Sequence, residues 1–200
     1  MEYVMKYHDT KNLILEKASD LICEHGFVKA SIRDIVKAVK ITNSAVYVHF
    51  KNKDEILYTI IEEIGSSLLE TLSSVIKDHE DPLECLYHMI FAQVSLLKTN
   101  RKGVKIYLEE QYQLPEQLRK KARKQHRDIY DIYYNKLCEI EKKKPGVFRN
   151  IDKTVATFTI FATMNWAYRW YREDGELSLE DVAVQLIDIL FYGIFIDPGK

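Results

Sequence analysis

The sequence predicts an all-α fold, and two features of its composition lead to this prediction. Seven glycines and four prolines in 200 residues are too few for the many turns that an all-β fold requires. Apolar residues make up 46% of the chain and charged residues 30%, which is typical of a globular protein with a substantial core. We therefore expect about nine helices, joined by few helix breakers.

Two short helices near the N-terminus have clear boundaries in the sequence. Ser31 is a good N-cap for a helix over residues 32–39, and Thr42 can cap the next helix over residues 43–49. The turn between them is short. Two short helices joined in this way form a helix-turn-helix unit, whose second helix can enter the major groove of DNA.

The remaining helices follow from apolar periodicity, caps and breakers. Gly26 suits the end of the first helix, Pro82 and Pro115 suit helix starts, and Asp152 and Ser178 suit N-caps. These helices are expected over about residues 10–25, 54–79, 82–97, 101–113, 115–144, 153–173 and 179–195.

The second helix of the unit has two kinds of face. Val46 and Phe50 lie four residues apart and are expected to face inward. We expect the small polar residues at its start to meet base edges, and a hydroxyl, an imidazole and an ammonium group to hold phosphates. The alternative is a short connector helix with a few aromatic core residues. The candidate DNA-binding residues are Ser31, Ile32, Arg33, Thr42, Asn43, Ser44, Ala45, Tyr47, His49 and Lys53.

Charge is distributed unevenly along the chain. Residues 1–53 hold nine lysines and arginines against six acidic residues, whereas the net charge of the whole chain is −1. A modestly basic N-terminal part on an acidic remainder favours an anionic partner for that part alone.

The segment "GFVKASIRDIVKAVKITNSAVYVHFKNKDEIL", residues 26–57, resembles the TetR family of bacterial transcriptional regulators almost position for position. The resemblance implies a DNA-binding domain over residues 1–53 and an effector-binding and dimerisation domain over 54–200. It further implies a homodimeric repressor that binds a palindromic operator in double-stranded DNA and is released by a small effector. Lys40 and Ser44 depart from the family pattern, which usually has glycine in the turn and a glycine or small residue in the helix.

A second segment, "MNWAYRWYREDGELSLEDVAVQLIDILFYGI", is similar to acyl-CoA-responsive regulators of fatty-acid or sterol catabolism. This resemblance implies that the last two helices pair with their copies in a two-fold dimer and that the effector lies among the central helices. The dimer residues expected on the last helix are Val182, Leu186, Ile189, Leu190 and Gly193. Their alternative role is an ordinary internal core.

Aromatic rings beside guanidinium groups can stack an adenine and pair with phosphates, as the head of coenzyme A would require. Such residues also pack ordinary cores or lie in water, so both roles stay open. The candidate effector-binding residues are Trp166, Arg169, Trp170, Tyr130, Tyr133, Phe158, Phe161 and Tyr107.

Several functional classes lack their sequence signals. The histidines form no His-Glu-x-x-His pattern, and the chain has no Gly-x-Ser-x-Gly motif and no phosphate-binding loop. We therefore expect no enzyme activity, no cofactor and no metal site.

The sequence also lacks a membrane span and a signal peptide, so a cytoplasmic location is expected. The rival class is a helical ligand-binding or protein-interaction module that binds no DNA.

Overall fold

The computed structural model describes the backbone of residues 2–196 and the side chains of residues 9–196. Within the described backbone the chain forms eight α-helices and one short 3₁₀ helix, and no β-strand, so the all-α prediction is confirmed. The helices are α1 (Glu2–His25), α2 (Ile32–Val39), α3 (Asn43–His49), α4 (Lys53–Asp78), α5 (Pro82–Glu109), the 3₁₀ helix (Gln111–Gln113), α6 (Glu116–Lys143), α7 (Lys153–Trp170) and α8 (Leu179–Ile194).

The predicted N-caps are confirmed. The Ser31 hydroxyl accepts a hydrogen bond from the Asp34 backbone N–H at 3.2 Å, and the Asp34 carboxylate accepts the Ser31 backbone N–H at 3.3 Å. This reciprocal arrangement is a capping box. Thr42 caps α3, Asp152 caps α7 and Ser178 caps α8 through their side-chain oxygens. Local side-chain chemistry therefore determines where these helices begin.

The turn between α2 and α3 contains a left-handed lysine. Lys40 has φ 60° and ψ 44°, and its backbone N–H donates to the Val36 carbonyl. A residue with a Cβ costs about 1 kcal/mol more than glycine in this conformation. Lys40 occupies the position where the resembled family usually has glycine.

Helix α5 joins two segments that the sequence predicts as separate helices. Asn100 has φ −149° and ψ 53°, which is not helical, so α5 is kinked there. No proline or glycine separates the two segments, and the chain continues as a helix on both sides of the kink. Helix α1 also begins earlier than predicted, at Glu2.

The chain divides into two compact units. The first contains residues 1–65 and 102–125, and the second contains residues 66–101 and 126–200. The core of the first unit contains the buried apolar stripes of α1 to α3 and the start of α4. Its buried residues include Ile14, Ala18, Ile22, Phe27, Ile35, Val39, Val46, Phe50, Ile56 and Leu57.

The second unit has its own core, built from α5, α6, α7 and α8. Its buried residues include Leu86, Met89, Ile90, Tyr133, Leu137, Ile160, Met164, Ile187, Phe191 and Phe195. No helix among the described residues is both long enough and apolar enough to cross a membrane.

The predicted functional division into residues 1–53 and 54–200 stays a prediction, because compact units are not functional domains. The ends of that predicted division, residue 1 and residues 197–200, lie outside the described part of the chain.

Candidate nucleic-acid interface and effector site

Helix α3 buries one side and exposes the other. Val46 and Phe50 are buried, as predicted from their spacing. Asn43 and Ser44 are exposed in the first turn, and Ala45 beside them is half-buried. The first turn therefore presents an amide, a hydroxyl and a methyl group, which can reach base edges in a major groove.

The second turn of α3 adds larger side chains to the exposed side. Tyr47 is exposed, and His49 is half-buried. Burial, with a smaller effect from the charge of Lys11, lowers the pKa of His49. Val48 is 63% exposed and was not among the sequence candidates. An exposed valine on this surface can contact the methyl group of a thymine, and its only sequence signal is that a helix turns it away from Val46.

Three further candidates lie at the start of α2, which directly precedes α3 in the chain. Ser31 and Ile32 are half-buried, and Arg33 is exposed. The Ser31 hydroxyl donates to the Asp34 carboxylate, and this bond lowers the pKa of Asp34. The hydroxyl of Thr42 lies 2.9 Å from that of Ser44 while it caps α3. Ser31 and Thr42 therefore have capping roles in the fold, and their predicted DNA contacts stay predictions.

Lys53 makes contacts that sequence reasoning missed. Its ammonium group donates to the backbone carbonyls of Phe27, Val28 and Ala30 at 2.9, 3.3 and 3.0 Å. It also lies 4.2 Å from the centre of the Phe27 ring, over its face. Lys53 thus joins the start of α4 to the turn between α1 and α2. Its predicted phosphate contact stays a prediction, and the structure gives it a second, structural role.

An aromatic cluster in the second unit contains four of the predicted effector residues. The Tyr130 ring lies 5.3 Å from that of Phe158 and 6.3 Å from that of Phe161. The Tyr133 ring lies 5.1 Å from Phe161 in an edge-to-face arrangement. The structure therefore brings residues of α6 and α7 together as one apolar surface.

A polar network lies against this cluster. The Tyr133 hydroxyl is 3.0 Å from the Gln93 side-chain oxygen and 3.1 Å from the Met89 carbonyl, so its one proton can be donated to either. The Gln93 amide nitrogen donates to the Asn165 side-chain oxygen at 3.1 Å. Burial raises the pKa of Tyr133. Sequence reasoning missed Gln93, because its partners lie 40 and 72 residues away and leave no local signal.

The rings at the end of α7 are exposed. Trp166, Arg169 and Trp170 share one side of the helix, as predicted, and that side faces solvent in the single chain. The Arg169 guanidinium lies 4.8 Å from the Trp166 ring centre and donates to the Tyr168 hydroxyl at 3.0 Å. Tyr107, the remaining predicted effector residue, is buried in the first unit, where burial raises its pKa.

Arg101 fixes the C-terminal end of α7. Its guanidinium donates twice to the Tyr168 carbonyl, at 2.8 and 3.2 Å, and once to the Tyr171 carbonyl at 2.7 Å. These carbonyls lie at the helix end, where backbone acceptors lack helical partners. Arg101 therefore orients the segment that carries the two tryptophans.

The predicted dimer residues on α8 divide into two groups. Val182 and Leu190 are buried within the second unit, so their side chains pack inside their own chain. Ile189 and Gly193 are exposed and Leu186 is half-buried. The predicted dimer residues came from both sides of the helix, because apolar spacing alone does not distinguish a face that packs inside the chain from a face that contacts a partner chain.

Helices α7 and α8 contact each other and together expose a large amount of apolar surface. Soluble monomers rarely expose several large apolar side chains on adjacent elements, and such surfaces are typical of interaction sites. Four members of this set were not predicted: Val155, Val184, Tyr192 and Ile196, the last of which follows the end of α8. We call this set the apolar face; its residues are Val155, Phe158, Trp166, Trp170, Val184, Ile189, Tyr192 and Ile196.

Comparison with known families gives two matches that together cover most of the chain. Residues 79–194 match the family described as "Tetracyclin repressor-like, C-terminal domain". Residues 14–59, which include α2 and α3, match the family described as "Bacterial regulatory proteins, tetR family".

Characterised relatives are similar over almost the whole chain. The "HTH-type transcriptional repressor KstR2" of Mycobacterium tuberculosis is 25% identical over 186 residues, which cover 90% of each chain. The "Fatty acid metabolism regulator protein" of Bacillus subtilis is 25% identical over 185 residues, which cover 90% of this chain and 93% of the relative.

Solved structures show the same fold. AibR in complex with isovaleryl coenzyme A and operator DNA superposes with a TM-score of 0.82 at 27% identity, over 91% of this chain and 98% of AibR. KstR2 of Mycobacterium tuberculosis superposes with a TM-score of 0.85 at 24% identity, over 92% and 94% of the two chains. The latter similarity concerns the fold alone.

Proposed function

The chain belongs to the TetR family of bacterial regulatory proteins, and we propose that it is a homodimeric repressor that a small effector releases from a palindromic operator. As a member it is a DNA-binding transcriptional regulator with a helix-turn-helix. The dimer, the palindrome, the effector class and the individual site residues are the parts that we propose.

The observation that carries the proposal is the two-sided character of α3. Its buried Val46 and Phe50 attach it to the first unit, while Asn43 and Ser44 remain exposed in its first turn. A recognition helix needs this division, because the residues that read bases must not also be needed for packing. We propose that Asn43, Ser44 and Ala45 meet base edges.

Phosphate contacts would come from the groups around that turn. Tyr47 offers an exposed hydroxyl, and Arg33 offers an exposed guanidinium in the first turn of α2. Such contacts fix the orientation of the protein on the duplex without reading its sequence. We assign the same role to the half-buried His49, whose imidazole N–H can donate a hydrogen bond to a phosphate oxygen.

A two-fold dimer follows from the size of a recognition helix. One short helix reads only a few base pairs, and two copies read two half-sites of a palindrome and double the phosphate contacts. The apolar face, to which α8 contributes the exposed Ile189 and Tyr192, is the surface that we propose for dimer formation. Gly193 is exposed beside them, which allows another backbone to approach closely.

The proposed effector belongs to the acyl-CoA class. The structure of AibR, which has the same fold at 27% identity, contains isovaleryl coenzyme A and operator DNA. This supports an acyl-CoA effector for the present chain but does not specify its acyl group. Tyr130 and Phe161, whose ring centres lie 6.3 Å apart, offer an apolar surface for an acyl or pantetheine chain. The Gln93 and Asn165 amides beside it can hydrogen-bond to carbonyl groups of such a ligand. Phe158, which is more exposed, is assigned to the apolar face instead.

Release requires a difference in affinity between two states. If the effector binds the DNA-free state more tightly, affinity for the operator falls by the ratio of the two effector affinities. The characterised relatives are transcriptional regulators, and the absence of enzyme activity is part of our proposal. Operator binding in a bacterium would place the protein in the cytoplasm.

Two substitutions test the assignment of α3. Asn43→Ala should change the preference among operator variants by about 10-fold, since a side chain that reads one base pair carries about 1–3 kcal/mol of discrimination. Tyr47→Phe should weaken binding to all sequences by a similar, smaller factor if its hydroxyl holds a phosphate. Fluorescence anisotropy on operator and scrambled duplexes measures both effects.

The matched controls are Asn150→Ala and Tyr112→Phe, which alter exposed residues far from α3 in sequence. They should leave DNA affinity unchanged. If Asn43→Ala and Tyr47→Phe also leave it unchanged, α3 is not the recognition helix. A flat dependence of affinity on salt would instead favour the rival module that binds no DNA, because phosphate neutralisation makes affinity fall steeply with salt.

A further inference from the structure

Three side chains with metal-binding atoms converge where the chain passes from α4 to α5. His79 follows the last residue of α4, Glu84 lies in the first turn of α5 and His88 lies one turn further on. One potential ligand atom from each side chain lies within 4.8 Å of those of the other two. All three residues belong to the second unit and lie outside the DNA-binding and effector residues described above.

The two imidazole rings are stacked face to face. The ring centres of His79 and His88 are 4.0 Å apart and the ring planes differ by 10°. The Glu84 carboxylate lies 3.5 Å from His79 Nδ1. Glu84 and His88 are four residues apart on α5, so the helix places them on the same side.

Neighbouring groups leave this cluster available. Asp81 is used elsewhere, because it caps α5 through the Leu83 and Glu84 N–H groups and pairs with Lys144 at 2.6 Å. Glu84 directs its carboxylate to His79 and remains largely exposed. The acidic side chains of Asp78 and Glu80 flank His79 in sequence and are exposed, which favours a cation nearby.

Two imidazoles and one carboxylate are a donor set that zinc-class ions prefer. Zn²⁺ binds imidazole nitrogen and carboxylate oxygen at about 2.0–2.2 Å, so ligand atoms around a tetrahedral ion lie about 3.4 Å apart. The observed separations of up to 4.8 Å require a closing movement, and the stacked rings must turn out of parallel, because a metal ion lies in the plane of each imidazole that binds it. His79 lies outside both helices and Glu84 is exposed, so rotation of these two side chains can supply that movement.

We propose that His79, Glu84 and His88 form a site for one divalent transition-metal ion of the zinc class, with water completing the coordination. The bound ion joins the end of α4 to the first two turns of α5. The sequence showed no such site, because the spacing His-x4-Glu-x3-His spans a helix end and its first member is not on α5. This proposal does not depend on DNA or on an effector.

Metal titration of the full-length, chelator-treated protein tests the site. Calorimetry with Zn²⁺ should give one ion per chain, and Co²⁺ should give a visible absorption band from a site with nitrogen ligands. His79→Gln and His88→Gln should each weaken Zn²⁺ binding by at least about 10-fold, because each removes one of three protein ligands. Millimolar Mg²⁺ should not displace the ion, since Mg²⁺ prefers oxygen ligands.

His25→Gln is the matched control. His25 also lies near a carboxylate, with its Nε2 3.6 Å from Glu24, but the pair is exposed and lacks a third ligand. This variant should bind Zn²⁺ with unchanged affinity and stoichiometry. Circular dichroism of each variant without metal should show the wild-type melting temperature, so that a loss of binding reports ligation and not unfolding.

Two results would overturn the proposal. One is that the wild-type protein binds no Zn²⁺ below 0.1 mM, a limit of the order of weak, adventitious binding. The other is that the double variant His79→Gln/His88→Gln retains the affinity and the Co²⁺ band of the wild type. If either histidine variant fails to fold, Glu84→Gln gives the same test, because Glu84 is largely exposed.

Discussion

The exposed surfaces of α3 and of α7 with α8 differ in their chemistry. Helix α3 presents Asn43 and Ser44 in its first turn, whereas α7 and α8 present Trp166 and Ile189, which are 58% and 68% exposed. Small polar groups remain stable in water and exchange it for base edges at low cost. Large apolar groups are stabilised only when another surface covers them. The polar surface and the apolar one therefore favour different partners, DNA for the first and protein for the second.

The largest expected effect concerns the apolar face. Ile189→Asp should shift the dimer towards monomer by about 100-fold, or about 3 kcal/mol, because the proposed interface would then bury a charge. Operator affinity should fall with it, since one chain reads only one half-site. Light scattering after size-exclusion chromatography measures the dimer, and anisotropy measures DNA binding.

Tyr112→Asp is the control for that substitution. Tyr112 is 69% exposed, close to the value for Ile189, but lies outside α7 and α8. If Tyr112→Asp dissociates the dimer as strongly as Ile189→Asp does, the effect is general and the apolar face is not the interface.

The second prediction concerns the support beneath the polar surface. Lys53→Met keeps the aliphatic chain but removes the ammonium that three backbone carbonyls accept, so the free energy of unfolding should fall by about 2 kcal/mol. Urea unfolding followed by circular dichroism checks this. Lys51→Met, at an exposed neighbouring position, should be neutral.

The variants Lys53→Met and Lys51→Met also distinguish a structural role of Lys53 from a phosphate contact. A purely structural role predicts lower stability and an unchanged slope of DNA affinity against salt. Unchanged stability together with a slope that is smaller by about one would show instead that Lys53 mainly contacts phosphate.

The third prediction concerns the loss of stability in acid. Burial lowers the pKa of His126 in α6 from 6.5 to about 4. The unfolded chain therefore binds a proton at higher pH than the folded chain does. The stability that His126 contributes is fully present above pH 6.5 and is lost as pH falls towards about 4, by about 2–3 kcal/mol. Urea unfolding at pH 7.5, 6 and 4.5 measures this change.

His126→Gln should flatten that pH dependence, and His25→Gln, at an exposed histidine, should leave it as in the wild type. Equal pH dependence in the wild type and His126→Gln would show that acid acts through other groups. The half-buried His49 in α3 would then be the next to test, because burial lowers its pKa as well.

The smallest effect concerns the turn between α2 and α3. Lys40→Gly should raise stability by about 0.5–1 kcal/mol, because glycine relieves the left-handed conformation at φ 60°. Lys37→Gly, inside α2, should lower stability by about 1 kcal/mol. Thermal unfolding should give these opposite signs, and a Lys40→Gly variant that is no more stable than the wild type would mean that Lys40 does not strain the turn.

Sequence alone predicted the N-terminal helices well because their boundaries depend on local chemistry. Ser31 and Thr42 cap α2 and α3 through hydrogen bonds to residues three positions away. The prediction that Val46 and Phe50 are buried needed only helical spacing. Local rules thus describe most of the helix-turn-helix.

The remainder depends on residues far apart in the chain. Spacing on α8 could not tell that Val182 and Leu190 pack inside while Tyr192 faces outward. The Gln93 network and the carbonyl contacts of Lys53 join segments separated by 23 to 72 residues, and a single sequence carries no sign of such pairs.

A mobility shift on DNA from upstream of the protein's own gene, with and without acyl-CoA thioesters of graded chain length, tests both repression and the effector class. We expect the protein to bind that DNA in preference to a scrambled duplex, and one chain-length class to release it. Specific binding that no thioester releases would contradict the effector class, and equal binding to both duplexes would contradict sequence-specific repression.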